Sequence, residues 1–340
     1  MQDVYAYKNN IKVVQESASG GAFSKLVSTW KKMCIEKGQD EKNIIVYGAA
    51  FDADFNVVHI RTVDDEWKRL RGSKYTVSDL RGIFSSVKED LSRNRAVMFT
   101  GTPCQVKALK NYLMNDDISD LVTIDIICHG TVEKKVWVDY VNFLEKKNAS
   151  KLKEYSFRYK KGKSAEPEVF ASFENGKTEI GTRSVQSYMS LFFTLLPLRK
   201  SCYLCRFANM NRPSDITIGD FWGAENIFKA IDIKDGISEI IVNTDIGVQL
   251  MTRVMNYIGS DELLIKCETE QFIDYQHNLK GPVQMPANVD DFWEFYENNG
   301  YKMAIDNYTD CGKKKIFEFY AKRFLKRKGL KKNLKNLLKR

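Results

Sequence analysis

The sequence predicts an α/β fold: an open mixed sheet with flanking helices, a second subdomain containing a β-hairpin, and a helical C-terminal tail. Two strand–turn–helix units carry the first expectation. Ala96-Val97-Met98-Phe99 breaks at Gly101-Thr102-Pro103 and restarts as a helical pattern over residues 106–113. The run 121–127 breaks at Cys128-His129-Gly130 and restarts over residues 134–143. Such alternation implies a sheet with its sites at the strand C-terminal ends. The hairpin rests on Asn175-Gly176 between β-type runs, a strong turn signal. The tail rests on residues 313–340, where apolar residues recur at helical spacing among Lys and Arg. The chain accordingly divides into an N-terminal α/β region at 1–150, a second region at 151–285 and a helical segment at 286–340.

Composition narrows the class. With 340 residues, 43% hydrophobic and only six prolines, the chain suits a folded protein with a sizeable core. It has no unbroken apolar run of the roughly 18 residues that a membrane-spanning helix needs. Met1-Gln2-Asp3-Val4-Tyr5-Ala6-Tyr7 lacks the pattern of a signal peptide, and the seven cysteines are odd in number. Both point to the reducing cytoplasm and away from disulfides. Net charge is +9, yet residues 313–340 hold 13 Lys and Arg against the single acid Glu318. The other 312 residues nearly balance, 40 basic to 43 acidic. A near-neutral body argues against a nucleic-acid-binding protein. In the tail, Phe317, Tyr320 and Phe324, then Leu330, Leu334, Leu337 and Leu338, fall at helical spacing. A basic amphipathic helix of this kind suits peripheral contact with an anionic membrane face; a solvated helix or an acidic partner is the alternative.

Taken in order, Ser17-Ala18-Ser19-Gly20-Gly21-Ala22 leads into a helix with Phe23, Leu26, Val27 and Trp30 on its apolar face. Small residues at a helix start let a ligand reach the backbone, and the free amides there suit phosphate. An ordinary loop has the same composition. Residues 44–51 and 57–61 read as a hairpin, in which His59 alternates with apolar neighbours as a structural residue would. A short helix at 66–70 ends in Arg71-Gly72-Ser73-Lys74-Tyr75, which offers cations, a hydroxyl and a ring to a phosphorylated planar ligand. A helix over about 79–91 precedes the first strand–turn–helix unit.

At that unit, Cys104 follows Thr100-Gly101-Thr102-Pro103 at a helix N-terminus, where the dipole and unpaired amides favour a thiolate. A tight turn with a structural cysteine is the alternative. Cys128 occupies the matching position after the next strand. His129 beside it suits a ligand, a proton donor or a hydrogen-bond partner to a cofactor, and the last fits best. A helix rich in Met189, Leu191, Phe192, Phe193, Leu195 and Leu196 reads as core packing. It delivers Cys202-Tyr203-Leu204-Cys205, whose spacing lets one metal centre take both sulfurs. Arg199, Lys200 and Arg206 would favour thiolates there. Residues 214–223, 240–243 and 248–257 follow as strand and aromatic loop, strand, and helix.

With Ser19-Gly20-Gly21, Arg71-Gly72-Ser73-Lys74-Tyr75, Gly101-Thr102-Pro103-Cys104-Gln105, Cys128-His129-Gly130, Cys202-Tyr203-Leu204-Cys205 and Gly219-Asp220-Phe221-Trp222-Gly223 in this order, the chain resembles the coenzyme F420 hydrogenase/dehydrogenase beta-subunit family. The resemblance runs from about residue 17 to about residue 243. Each motif is weak alone; six in sequence are specific. The resemblance implies an iron–sulfur flavoprotein oxidoreductase holding FAD and a [4Fe–4S] cluster and exchanging electrons with a deazaflavin such as coenzyme F420 or a related acceptor. It makes 1–150 the flavin-type region and 151–285 the cluster-binding region. It implies flavin contacts from Ser19, Gly20, Gly21, Ala22, Gly72, Ser73, Lys74, Tyr75, Thr100, Gly101 and Thr102, a catalytic role for His129, and cluster ligation by Cys104, Cys128, Cys202 and Cys205. Cys34, Cys267 and Cys311 sit in ordinary contexts. Many members carry an N-terminal ferredoxin segment that this sequence lacks, so a separate ferredoxin-like partner is expected. The bacterial-looking branch often accompanies polysaccharide loci, which leaves the acceptor open. A non-catalytic module with structural zinc on the same four thiolates is the competing reading, since ligand count serves both.

Overall fold

The computed structural model describes residues 2–162, 167–229, 231, 233 and 235–311. The amphipathic pattern at 313–340 lies outside the described residues. The chain opens with β1 (Asp3–Lys8), α1 (Ile11–Gln15) and α2 (Ala22–Glu36), followed by β2 (Ile44–Phe51) and β3 (Val57–Thr62). The two strand–turn–helix units come next: α3 (Ile83–Ser92), β4 (Ala96–Gly101), α4 (Pro103–Tyr112), β5 (Leu121–Ile126) and α5 (Lys134–Asn148). After β6 (Leu152–Tyr159), β7 (Glu168–Phe173), β8 (Thr178–Ile180) and α6 (Arg183–Phe192), the chain makes β9 (Ile216–Asp220), α7 (Ala224–Ile227), β10 (Ser238–Val242), α8 (Asp245–Asn256), β11 (Leu263–Cys267), α9 (Thr269–Phe272) and α10 (Val289–Tyr308).

Eight strands form one mixed sheet in the order β11-β1-β10-β9-β5-β4-β2-β3. Its centre, β2-β4-β5-β9, is parallel; the pairs outside that centre are antiparallel. The central strands are continuous apolar runs because helices cover both faces. Leu26, Val27 and Trp30 of α2 pack with Leu250, Met251 and Val254 of α8 over Val46, Met98 and Ile124. Val87 and Leu91 of α3 and Val106 and Leu109 of α4 cover Ile45, Tyr47, Val97 and Phe99 on the other face.

The second sheet is β6-β7-β8, antiparallel, with its hairpin turning at Gly176 in the left-handed region (φ 83°). It shares an aromatic core with α5, α6 and α10 through Trp137, Tyr140, Phe157, Tyr188, Phe292 and Tyr296. Strands β9, β10 and β11 come from beyond residue 150 yet complete the large sheet, so that sheet is built by sequence on both sides of position 150.

Element boundaries moved where local chemistry overrode periodicity. The helix expected from about 79 starts at Ile83, because Asp79 is drawn into a bridge beside β3 and Gly82 turns the chain at φ 76°. Helix α5 runs past Phe143 to Asn148. Phe193, expected in the core, is 65% exposed, since α6 ends at Phe192 and the chain turns away through Leu195 at φ 64°. Among the described residues no helix is long and apolar enough to cross a membrane.

Candidate functional site

The C-terminal ends of β4, β5 and β9 and the start of α2 surround a cavity of about 290 Å³. Ser19, Gly21, Ala22, Gly72, Ser73, Lys74, Tyr75, Thr100, Gly101 and Thr102 all line it, together with Cys128 and His129. Segments separated by tens of residues in sequence thus face one space. Gly20 is absent from this wall. A Cβ there would run into the Tyr7 carbonyl and the Ser238 amide, so its missing side chain serves the packing of the 17–22 loop against β1 and β10. Gly21 takes the left-handed conformation (φ 87°) that opens α2.

The loop after β4 is held from behind. Thr102 and Gln105 form a reciprocal cap at the start of α4, with Pro103 in the first turn. The Gln105 carboxamide oxygen accepts from the Thr102 amide at 2.9 Å, while its nitrogen donates to Ser78 Oγ at 2.9 Å. Ser78 Oγ in turn reaches His59 Nδ1 at 2.8 Å, and His59 Nε2 reaches the Thr100 carbonyl at 3.0 Å. The consistent assignment is a neutral imidazole that accepts at Nδ1 and donates from Nε2. Burial agrees, pulling His59 down to about 4. His59 is therefore structural in bonding, as expected, although it also borders the cavity.

Lys74 is the cation in the wall. Its Nζ donates to the Leu70 carbonyl (3.0 Å) and the Arg71 carbonyl (2.8 Å), and burial pulls the ammonium down to about 7. Those carbonyls fix the head group but do not neutralise it, so an entering anion would restore the charged form. On the opposite flank, Lys160 ties the loop before α2 through the Val14 and Ser19 carbonyls at 3.0 and 2.7 Å.

His129 stands beside Cys128. Its Nδ1 accepts from the Asn278 carboxamide at 2.7 Å, which leaves Nε2 to carry the proton. Trp222 and Phe192 flank the ring at 5.9 and 5.7 Å. Burial, then the neighbouring His277, lowers its affinity for a second proton. Gln276 reaches the Asp220 carbonyl at 2.6 Å and also bonds Glu239. Glu239 is fully buried, and burial pushes it up to about 8; its Oε1 has no hydrogen-bond partner among the described residues. Arg158 pairs with Asp220 at the cavity edge.

The four cysteines named above come together around Cys128. Its thiol is pushed up to about 12, first by burial and further by the nearby Cys104, Cys202 and Cys205. Backbone amides point at the sulfurs: Gly130 N to Cys128 at 3.4 Å and Thr131 N to Cys202 at 3.5 Å. The Thr102 hydroxyl lies 3.1 Å from Cys104 Sγ. Gly130, at φ 101°, lets the two loops close, since a Cβ there would be strained and would sit 2.9 Å from Leu198 Cδ1. Among the described residues no three His, Cys, Asp or Glu side chains are grouped to hold one metal ion. A tetrahedral zinc would need its sulfurs about 3.8 Å apart, given Zn–S near 2.3 Å. A cluster spreads four thiolates around a larger cage, and four thiols with amide donors fit it in type and number. Arg199 and Lys200 pair with Glu133 and Asp290 at 3.9 and 3.3 Å. Cys34, Cys267 and Cys311 are buried elsewhere.

Gln105, Gln276 and Asn278 were not singled out by sequence, although all three border the cavity. Gln105 had a readable signal in the Thr-x-x-Gln cap. Gln276 and Asn278 sit at a short turn with no periodicity, and nothing local marks them.

Residues 94–260 match the family model for the C-terminal part of the beta subunit of coenzyme F420 hydrogenase/dehydrogenase. The fold is similar to a chain of the F420-reducing [NiFe] hydrogenase complex from Methanosarcina barkeri, solved in a xenon derivative. That match has a TM-score of 0.52 and 17% identity, and covers 88% of this chain and 91% of that one. No curated protein matches the chain.

Proposed function

From the membership of residues 94–260 in the coenzyme F420 hydrogenase/dehydrogenase beta-subunit family, we propose that the chain is an oxidoreductase subunit that holds FAD in the cavity and a [4Fe–4S] cluster on Cys104, Cys128, Cys202 and Cys205. The observation that carries this reading is shared geometry: Cys128 and His129 line the same cavity as the three glycine- and hydroxyl-bearing loops. FAD would supply two-electron exchange and the cluster one-electron exchange, side by side. The chain's own groups do the rest. Lys74 offers an ammonium to a phosphate, and the amides at the start of α2 add donors. His129, fixed by Asn278, offers its Nε2 proton as a hydrogen bond. The His59–Ser78–Gln105 network holds the 100–102 loop against movement.

A separate electron-carrying partner, ferredoxin-like in chemistry, would exchange electrons at the cysteine face, where Cys104 is exposed. The electrons would go to a deazaflavin or another acceptor, and a polysaccharide-synthesis setting is compatible with either. The odd cysteine number is what favours a reducing, cytoplasmic setting. Peripheral contact with an anionic membrane remains the reading of the 313–340 pattern. Co-sedimentation with anionic vesicles tests it: the full chain should pellet more than a chain ending at residue 312, and equal pelleting contradicts it. The flavin half is tested by titrating FAD into the full chain and following its fluorescence. Saturation near an equimolar ratio supports the reading; no binding contradicts it.

A further inference from the structure

A second cavity, of about 320 Å³, adjoins the first. The two share Ser17, Ala18 and the loop from Arg71 to Lys74, which forms a common wall. The second cavity has its own character. Arg69, Arg71, Lys74, Arg158 and Lys161 border it against the single carboxylate of Glu16. Tyr155, Phe157 and Tyr159 of β6 add aromatic surface.

The cations are only partly spoken for. Arg71 pairs with Glu16 at 2.5 Å through one terminal nitrogen, while its Nε is buried with no hydrogen-bond partner among the described residues. Arg158 is engaged by Asp220. Arg69 and Lys161 have no ion-pair partner among the described residues. A buried guanidinium N–H without an acceptor is costly, and several like charges facing one concave space focus a positive field there. A planar guanidinium fork matches phosphate or carboxylate oxygens.

We infer that the second cavity is an anion subsite, built to seat a phosphate- or carboxylate-bearing group of the reactant that meets the cofactor across the 71–74 loop. The site stands on its own residues; its assignment to the second reactant rests on the flavin reading above. A reactant with an anionic arm and an apolar body would place the arm beside Arg69, Arg71 and Lys161 and its body along β6.

The test is isothermal titration of the full chain with inorganic pyrophosphate in one arm and citrate in the other, before and after FAD loading. The arms separate a phosphate-selective from a carboxylate-selective site. At least one anion should bind the FAD-loaded chain. The double variant Arg69→Gln/Lys161→Gln should bind it at least tenfold more weakly while FAD affinity stays unchanged. A charge-matched control, Lys88→Gln/Arg93→Gln at α3, which borders neither cavity, should bind as the parent does. Failure of both anions to bind, equal loss in the control, or loss of anion binding on FAD loading would overturn the assignment. Failure of FAD to bind refutes the flavin reading instead, and the same variants in the unloaded chain then decide the anion site alone.

Discussion

Asn278 donates to Nδ1 of His129 at 2.7 Å, although 149 residues separate the two. This contact fixes which nitrogen of the imidazole holds the proton and ties the loop after β5 to the short turn that follows α9. Asn278→Leu removes the donor and leaves a half-buried nitrogen unpaired. The expected cost is about 1–3 kcal/mol in urea unfolding, with iron content unaltered because no cysteine moves. A variant as stable as the parent contradicts the role given to this contact.

Lys74→Ala should weaken FAD binding by about 1.5–3 kcal/mol, as expected for loss of a charge-assisted hydrogen bond. The pH dependence follows from the burial that pulls Lys74 down to about 7. Above that pH the unliganded lysine is neutral, and binding a phosphate must first restore its proton. FAD affinity should therefore fall as pH rises from 7 to 9 in the parent and vary less in Lys74→Ala. Parallel curves for parent and variant would remove Lys74 from the phosphate site.

Glu239 makes a separate prediction about stability. Its carboxyl is raised by burial to about 8, whereas an unfolded glutamate titrates near 4.3. The unfolded chain therefore loses its proton first, and stability should decline as pH climbs from about 4.3 to 8. Glu239→Gln keeps an acceptor for Gln276 without the charge. It should flatten that slope and be more stable than the parent at pH 8, by at most about 5 kcal/mol. Thermal melts at pH 5 and pH 8 decide it; an unchanged slope contradicts the assignment.

Cys202→Ser should lose the metal centre and destabilise the protein, because ligation and folding are coupled. Cys34→Ser should do neither, since Cys34 lies buried on α2 in the core it shares with α8, remote from the Cys128 group. Equal loss of iron in both variants would show that the ligand set is misassigned.

Much of this architecture was legible because the central strands and their helices repeat one pattern. The 100–105 turn could be read as a strand end and a proline at the start of a helix, and the structure has both. The hairpin at Asn175-Gly176 was legible for a similar local reason. What could not be read was long-range. Strands β9–β11 join the first sheet by pairing that no local periodicity encodes. Arg158 meets Asp220 across 62 residues, and Gln276 reaches Glu239 across 37. Gly20 and Gly21 look alike in sequence. Only packing separates the one that cannot carry a side chain because of its neighbours from the one that takes a left-handed turn into the cavity wall.

The central claim is that one cavity joins a flavin to a thiolate-bound cluster. Metal and flavin analysis of the full chain, purified without oxygen, tests it most directly. The account expects about four iron atoms per chain, FAD released on denaturation, and a brown colour that dithionite bleaches. Stoichiometric zinc without iron, in a chain that releases no flavin, would contradict it.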